Sequence, residues 1–189
     1  VEHKHLVPVH DVFDDEGTPV LVMDFLAGES LGEQLRRDTK LDPDELVRLI
    51  VPAMAAVHAA HAEGIVHRDL KPDNLFLVEL APGEHALRVL DFGIAKLLEA
   101  SADVDAPKTL TEAGEVLGTP PYMAPEQLRG ESIDRRVDVW AFGVILYQCL
   151  SGQRPFVGTR IGQYFDKITK GLREPLAKVA PGAPPHVID

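Results

Sequence analysis

The chain has 189 residues, of which 45% are hydrophobic and 26% are charged, as expected for a globular protein with one sizeable core. A formal net charge of −11 argues against nucleic-acid binding, and no run of about 18 apolar residues occurs that would predict a membrane segment in this chain. The single cysteine, Cys149, excludes a disulfide framework and favours a reducing compartment, so we expect a cytoplasmic protein, although a longer form could be tethered to a membrane.

Two strands and a short helix are predicted at the start of the chain. Residues 6–13 and 19–26 are apolar and β-branched, and the intervening "DDEGT" is rich in turn-forming residues, which predicts a hairpin. The stretch "LAGES" is expected to end the second strand. Residues 30–38, "SLGEQLRRD", then predict a short helix.

A long helix is predicted over residues 41–64. Asp42 suits the N-cap and Pro43 the first helical position, whereas Gly64 favours termination. Apolar residues between them recur at spacings of three and four, which predicts one buried face. Pro52 is expected to kink the helix.

Two further strands and a loop come next. The runs "NLFLVEL" and "ALRVL" predict short strands joined by the turn "APGEH". Residues 99–116 are polar without an apolar period, so we expect a mobile loop there.

A second long helix is predicted over residues 133–152, with Asp134 as its cap and Gly152 at its end. Residues 137–150 within it are apolar nearly all round. This pattern predicts a helix that is buried at the centre of the fold.

The stretch "HRDLKPDN", residues 67–74, places many charged and polar groups on one short loop. Phosphoryl transfer needs such groups, because it depends on a positioned hydroxyl, on cations near the phosphates and on bound metal ions. Asp69 can accept or orient the hydroxyl proton, and Lys71 can reach the transferred phosphate. Asn74 can supply an oxygen to Mg²⁺, and Asp91 of "DFG" can supply a carboxylate.

Four motifs occur in a characteristic order: "HRDLKPDN", "DFG", "GTPPYMAPE" at 118–126 and "DVWAFG" at 138–143. In these motifs the chain resembles the eukaryotic-type (Hanks-type) serine/threonine protein kinase family, and its composition favours a bacterial source. The resemblance implies an α+β protein-kinase-like fold. It further implies small-lobe strands at 1–23, a hinge at 24–30 and a mainly helical, incomplete large lobe at 31–189.

The resemblance also implies roles for individual residues. Asp69 would be the catalytic base and Lys71 the phosphate-contacting lysine, while Asn74 and Asp91 would hold the metal ions, Mg²⁺ or Mn²⁺, that accompany ATP. Lys71 and Thr119 together match the serine/threonine pattern. For the nucleotide, Met23 would be the gatekeeper, Asp24 to Leu26 the hinge segment that binds adenine, and Phe76 the floor under adenine. Ser30 and Asp91 complete the expected nucleotide-binding set. Val9, His67 and Phe92 would belong to a stacked spine anchored by Asp138.

A regulatory switch is a further expectation from the resemblance. Phosphorylated Thr111 or Thr109 would pair with Arg68, next to the base, and order the loop. The carboxylate of Glu115 is an alternative partner for Arg68, and ordinary loop threonines remain a third interpretation.

Three functions remain open from the sequence. The family's glycine-rich loop, strand lysine and helix glutamate have no counterpart in this chain, and neither do its last helices, so we expect a fragment truncated at both ends. Such a fragment would bind ATP·Mg weakly, would phosphorylate protein substrates poorly, and could self-associate through exposed apolar surface. The alternatives are a non-catalytic kinase-like binding module and a small-molecule phosphotransferase, the latter disfavoured by the "APE" and "DVWAFG" motifs.

Overall fold

The structure is a computed structural model that describes residues 1–16, 18–90 and 120–184. Within these ranges the chain forms five strands and six α-helices. The strands are β1 (Val9–Asp15), β2 (Thr18–Met23), β3 (Gly28–Ser30), β4 (Leu75–Ala81) and β5 (Glu84–Val89). The helices are α1 (Leu31–Asp38), α2 (Pro43–Ala62), α3 (Pro125–Arg129), α4 (Arg136–Ser151), α5 (Ile161–Thr169) and α6 (Leu176–Val179). Single 3₁₀ turns occur at Pro72–Asn74 and Pro120–Tyr122, and the loop predicted over 99–116 lies outside the described residues.

Strands β1 and β2 form the predicted antiparallel hairpin. Phe13 lies opposite Val20 and Val12 opposite Leu21, with an irregularity in the register beside His10. Every residue of β1 is exposed to solvent. The hairpin therefore contributes little to the buried core of the described residues.

A second sheet has the order β3-β4-β5, with both pairs antiparallel. Strand β3 was not predicted, because three residues are too few to show alternation and one of them is glycine. Gly28 has a φ of +151°, and a Cβ there would overlap the backbone carbonyl oxygen of Leu77. Only glycine therefore allows this close approach of β3 to β4.

Helix α1 begins with a capping box that joins Ser30 and Glu33. The backbone N–H of Ser30 donates to the Glu33 carboxylate (2.8 Å), and the N–H of Glu33 donates to the Ser30 hydroxyl (3.1 Å). The hydrogen bonds that the Glu33 carboxylate accepts, from the Ser30 backbone N–H first and then from the Ser30 hydroxyl (3.0 Å), lower the pKa of Glu33. The capping box thus fixes the direction in which the chain leaves β3.

Helix α2 follows its sequence signals closely. The carboxylate of Asp42 accepts the backbone N–H groups of Asp44 and Glu45, at 3.0 and 3.3 Å, and the helix begins at Pro43. It continues through Pro52 and ends at Ala62. Its buried face consists of Leu46, Leu49, Ile50, Ala53, Ala56, Val57 and Ala60.

Helix α4 is the central helix, as its apolar sequence predicts. Ile145 and Cys149 are fully buried, and burial raises the pKa of the Cys149 thiol to about 12. Three residues of the helix are exposed: Arg136, Val139 at 62%, and Gly143. Asp134 accepts the backbone N–H of the first helical residue at 2.9 Å, and the helix ends at Gly152, whose φ of +77° suits glycine. No helix in the described residues is long and apolar enough to cross a bilayer.

Candidate active site

The loop between α2 and β4 is built around a buried imidazole. His67 is 0% exposed, and its Nε2 donates to the carbonyl oxygen of Leu90 at 2.8 Å. Its Nδ1 accepts the backbone N–H of Asp69 at 3.3 Å. Burial lowers the pKa of His67, which favours the neutral ring that these two hydrogen bonds require. The imidazole therefore fixes the backbone at Asp69.

A carboxylate from the central helix holds the same loop. Asp138 of α4 is 1% exposed and accepts the backbone N–H groups of His67 and Arg68, each at 2.9 Å. It also accepts the Nε2–H of His61 at 2.7 Å. Arg68 adopts a φ of +66°, which is unusual for a residue with a side chain. The three hydrogen bonds to Asp138 compensate for this conformation.

Three polar residues of the loop, Asp69, Lys71 and Asn74, are joined by hydrogen bonds. The ammonium group of Lys71 donates to Oδ2 of Asp69 at 2.9 Å, and the side-chain amide of Asn74 donates to the Asp69 carbonyl at the same distance. Asn74 is buried at the end of the 3₁₀ turn that precedes β4. The structure thus brings together the residues expected to act as base, phosphate-contacting lysine and amide metal ligand.

The strand that leads toward "DFG" is attached to this loop. The backbone N–H of Leu90 donates to the Asn74 carbonyl at 2.9 Å, while the Leu90 carbonyl accepts from His67. Asp91 is the next residue in the sequence. The expectations for Asp91, Phe92, Thr109, Thr111, Glu115 and Thr119 lie outside the described residues.

The residues expected to bind the nucleotide lie along β2, the following segment and β4. Met23 ends β2, and the Asp24 carboxylate accepts the Nε2–H of His10 at 2.7 Å, a contact that sequence reasoning missed. Leu26 is half-buried before β3. Ser30 caps α1 and lies opposite Phe76 in the β3–β4 pairing.

Arg68 is linked to α3 through a residue that sequence reasoning did not single out. The Gln127 amide donates to the Arg68 carbonyl at 2.9 Å, while its oxygen accepts the backbone N–H of Ala124 at 2.9 Å. Within the described part of the chain, the buried Nε of Arg68 has no hydrogen-bond partner. In the sequence, the signal for this role of Gln127 was its position directly after "APE".

Tyr122 fixes the segment before α3 to the central helix. Its hydroxyl donates to the Gln148 side chain at 2.6 Å, and burial raises the pKa of the phenol to about 12. The phenol therefore stays protonated at physiological pH and serves as a structural donor.

An α+β scaffold whose His-Arg-Asp loop is fixed by a buried helical carboxylate is typical of a protein kinase catalytic core. The sequence model described as the protein kinase domain matches residues 1–183, and the chain belongs to this family.

Bacterial relatives extend the comparison. The chain is 45% identical to the serine/threonine-protein kinase Pkn1 of Myxococcus xanthus over 156 residues, which is 82% of this chain and 21% of that protein. It is 39% identical to pkn2 of the same organism over 181 residues, or 96% of this chain and 21% of that protein. It is 34% identical to PknB of Mycobacterium leprae over 162 residues, or 84% of this chain and 24% of that protein. The chain thus spans roughly a fifth to a quarter of the length of these relatives.

Proposed function

We propose that the protein transfers the γ-phosphoryl group of ATP to serine or threonine hydroxyls of protein substrates. The observation that carries this proposal is the arrangement of Asp69, Lys71 and Asn74 on a loop fixed by His67 and Asp138. The relatives, which are named serine/threonine-protein kinases, support the same reaction.

In the proposed mechanism Asp69 accepts the proton of the attacking hydroxyl. A bond forms between the substrate oxygen and the γ-phosphorus, the bond from that phosphorus to the bridging oxygen breaks, and ADP leaves with the electron pair. Lys71, 2.9 Å from Asp69, lies beside the transferred group and offsets its negative charge. Rigid positioning of the loop by α4 supplies the alignment on which this chemistry depends.

The donor set suits a hard divalent cation. Because the amide nitrogen of Asn74 donates to Asp69, its Oδ1 is directed away from that carbonyl and is the type of oxygen that Mg²⁺ or Mn²⁺ binds. We assign Asp91, which follows the fixed Leu90, as the second ligand. Mg²⁺ held by Asn74 and Asp91 would offset the negative charge of the phosphates. The described residues contain no cluster of three His, Cys, Asp or Glu side chains suited to a metal, and Asp91 lies outside them.

We assign the nucleotide base to the segment between β2 and β3. Backbone groups at Asp24 to Leu26 would bind adenine, Met23 would limit the depth of the site, and Phe76 would form its floor. Ser30 would contribute through the turn that it caps. The same boundaries support a division into strands at 1–23, a hinge at 24–30 and a large lobe from 31, because β2 ends at Met23 and α1 begins at Leu31. Dependence on ATP favours a cytoplasmic location.

We assign Arg68 as the regulatory cation. Its buried Nε has no hydrogen-bond partner in the described ranges, and an anion would satisfy it. Phosphorylated Thr111 or Thr109 is the first candidate, and the carboxylate of Glu115 is the second. Mass spectrometry after incubation with ATP, combined with Thr111→Ala and Glu115→Ala variants, separates the two. Loss of activity in Thr111→Ala alone supports the phosphate, and loss in Glu115→Ala alone supports the carboxylate.

The test of the proposed function uses the full-length protein, radiolabelled ATP and an unstructured protein acceptor. We expect Asp69→Asn and Lys71→Ala each to reduce the transfer rate by about 10²-fold or more, the range for removal of a general base or a charge-stabilising group. Asp166→Asn, at a surface ion pair on α5, is the matched control and should leave the rate unchanged. Binding of ATP·Mg with no transfer by the wild type would instead favour the non-catalytic binding module.

A further inference from the structure

The side-chain amide of Gln127 joins two segments of the site that are far apart in the sequence. Its nitrogen donates to the Arg68 carbonyl at 2.9 Å, and its oxygen accepts the backbone N–H of Ala124 at 2.9 Å. These partners fix which end of the amide is which, because a carbonyl only accepts and an N–H only donates. Gln127 therefore uses both of its polar atoms in directed contacts.

The peptide group between Arg68 and Asp69 is held at both of its edges. Its carbonyl accepts from Gln127 at 2.9 Å, and its N–H donates to Nδ1 of His67 at 3.3 Å. Asp138 holds the preceding peptide group instead, because it accepts the N–H of Arg68. Rotation of the backbone at Arg68 would turn the held peptide group and move the Asp69 carboxylate with it. The shorter of the two contacts that oppose this rotation comes from Gln127.

Helix α3, which carries Gln127, is itself held firmly against the fold. It has only five residues, so its position depends on contacts outside the helix. Ala124 at its start is fully buried, and Leu128 packs against the core. A cavity of about 10 Å³ remains between Gln127, Tyr122 and the loop, which is room for one water molecule at most. The glutamine therefore links a fixed helix directly to the loop.

An amide suits this position because the two contacts need opposite groups. In Gln127→Glu the carboxylate would still accept the Ala124 N–H and so close the first turn of α3. It has no hydrogen to donate, however, and would face the carbonyl oxygen of Arg68. In Gln127→Met a side chain of similar length would offer neither group. The service to the helix and the service to the loop can therefore be separated by substitution.

We propose that Gln127 is a positioning residue, which sets the direction of Asp69 through the Arg68 carbonyl; this inference rests on the proposed phosphoryl transfer. The role is distinct from that of Asp138, which holds the N–H side of Arg68. Gln127 holds the carbonyl side and ties the position of the base to that of α3.

The test compares Gln127→Glu with Gln127→Met in the full-length protein. Initial rates with ATP and an unstructured protein acceptor give kcat and the KM for ATP, and thermal unfolding gives the midpoint temperature. We expect both variants to lower kcat about tenfold or more, because a small displacement of a catalytic group is costly. The KM for ATP should not change, since the segment assigned to the nucleotide makes no contact with Gln127. The midpoint should fall in Gln127→Met and stay near the wild-type value in Gln127→Glu.

A glutamine that served only as a helix cap would give a different order of activities. Gln127→Glu would then turn over like the wild type, and kcat would fall in Gln127→Met alone, together with its midpoint. Gln153→Glu adds the same charge at an exposed position just after α4 and should change neither quantity.

Hydrogen exchange tests the link without any catalysis. Peptides that cover residues 67–75 should exchange about tenfold faster in Gln127→Glu than in the wild type, because one of the hydrogen bonds that hold the loop is lost. A wild type that transferred no phosphate would refute the proposed function, and the exchange measurement would still report on the link. A wild-type kcat in Gln127→Glu, or unchanged exchange of the loop, would overturn the positioning role.

Discussion

Replacement of Asp138 by asparagine tests whether the central helix holds the catalytic loop. The wild-type carboxylate accepts hydrogen bonds from His61, His67 and Arg68. An asparagine has nearly the same shape but offers one oxygen and an NH₂ group, so at least one of the three buried donors would face another donor. The substitution therefore preserves the shape of the side chain but removes one hydrogen-bond acceptor.

The magnitude follows from the buried network. Each hydrogen bond to a charged group contributes about 1.5–3 kcal/mol, and a buried donor left without an acceptor costs about 1–3 kcal/mol. The φ of +66° at Arg68 would also lose part of its compensation. We therefore expect Asp138→Asn to lower the free energy of unfolding by about 3–5 kcal/mol, the usual cost of breaking a buried charged network.

Two assays are needed, because stability and loop position are separate consequences. Urea unfolding gives the change in free energy, and initial rates with ATP and a protein acceptor give kcat/KM below the unfolding transition. A loop displaced by about 1 Å should reduce the rate by about 10²-fold. The control is Asp134→Asn at the exposed start of the same helix, which should change both quantities far less. An Asp138→Asn variant within about 0.5 kcal/mol of wild type, the range of ordinary surface substitutions, would refute this reasoning.

Further expected outcomes concern the sheet, a cap and the buried thiol. Gly28→Ala should cost more than about 2 kcal/mol in urea unfolding, because its Cβ would overlap the Leu77 carbonyl. Gly83→Ala, at a φ of +77° with open space around it, should cost about 1 kcal/mol. Glu33 has a lowered pKa in the folded state, so its capping contribution is present above the unfolded pKa and is lost as pH falls through the folded pKa. The stability difference between wild type and Glu33→Gln should therefore vanish on acidification, and a difference that persists in acid would contradict the cap. Cys149, with a pKa raised to about 12, should not react with a thiol reagent until denaturant unfolds the protein, and rapid reaction of the native protein would show that α4 is accessible.

Local signals predicted the helices well. Asp42 and Pro43 fix the start of α2 because their preference for helix N-termini depends only on neighbouring backbone groups. Gly152 ends α4 for the same kind of local reason, because a positive φ is accessible to glycine. The hairpin was also predicted, although β1 begins three residues later than the apolar run.

Long-range pairings could not be predicted in the same way. Strand β3 exists because Gly28 can approach Leu77, a contact between residues far apart in sequence. The hydrogen bond between His61 and Asp138 was equally hidden, since an isolated histidine on a helix favours ordinary packing or exposure. Such contacts depend on the folded arrangement of α2 and α4, which no local pattern encodes.

The Asp138 carboxylate also joins two motifs that are far apart in the sequence. "HRD" and "DVW" are separated by some seventy residues, yet Asp138 of the second accepts the backbone N–H groups of His67 and Arg68 in the first. The Asp138 side chain never needs to contact a substrate for this role, because it fixes the backbone from which Asp69 and Lys71 project. Because Asp138 bonds backbone groups of the loop, loss of this acceptor would disturb the loop conformation directly. The proposed phosphoryl transfer therefore depends on a buried helix residue through the geometry of the loop.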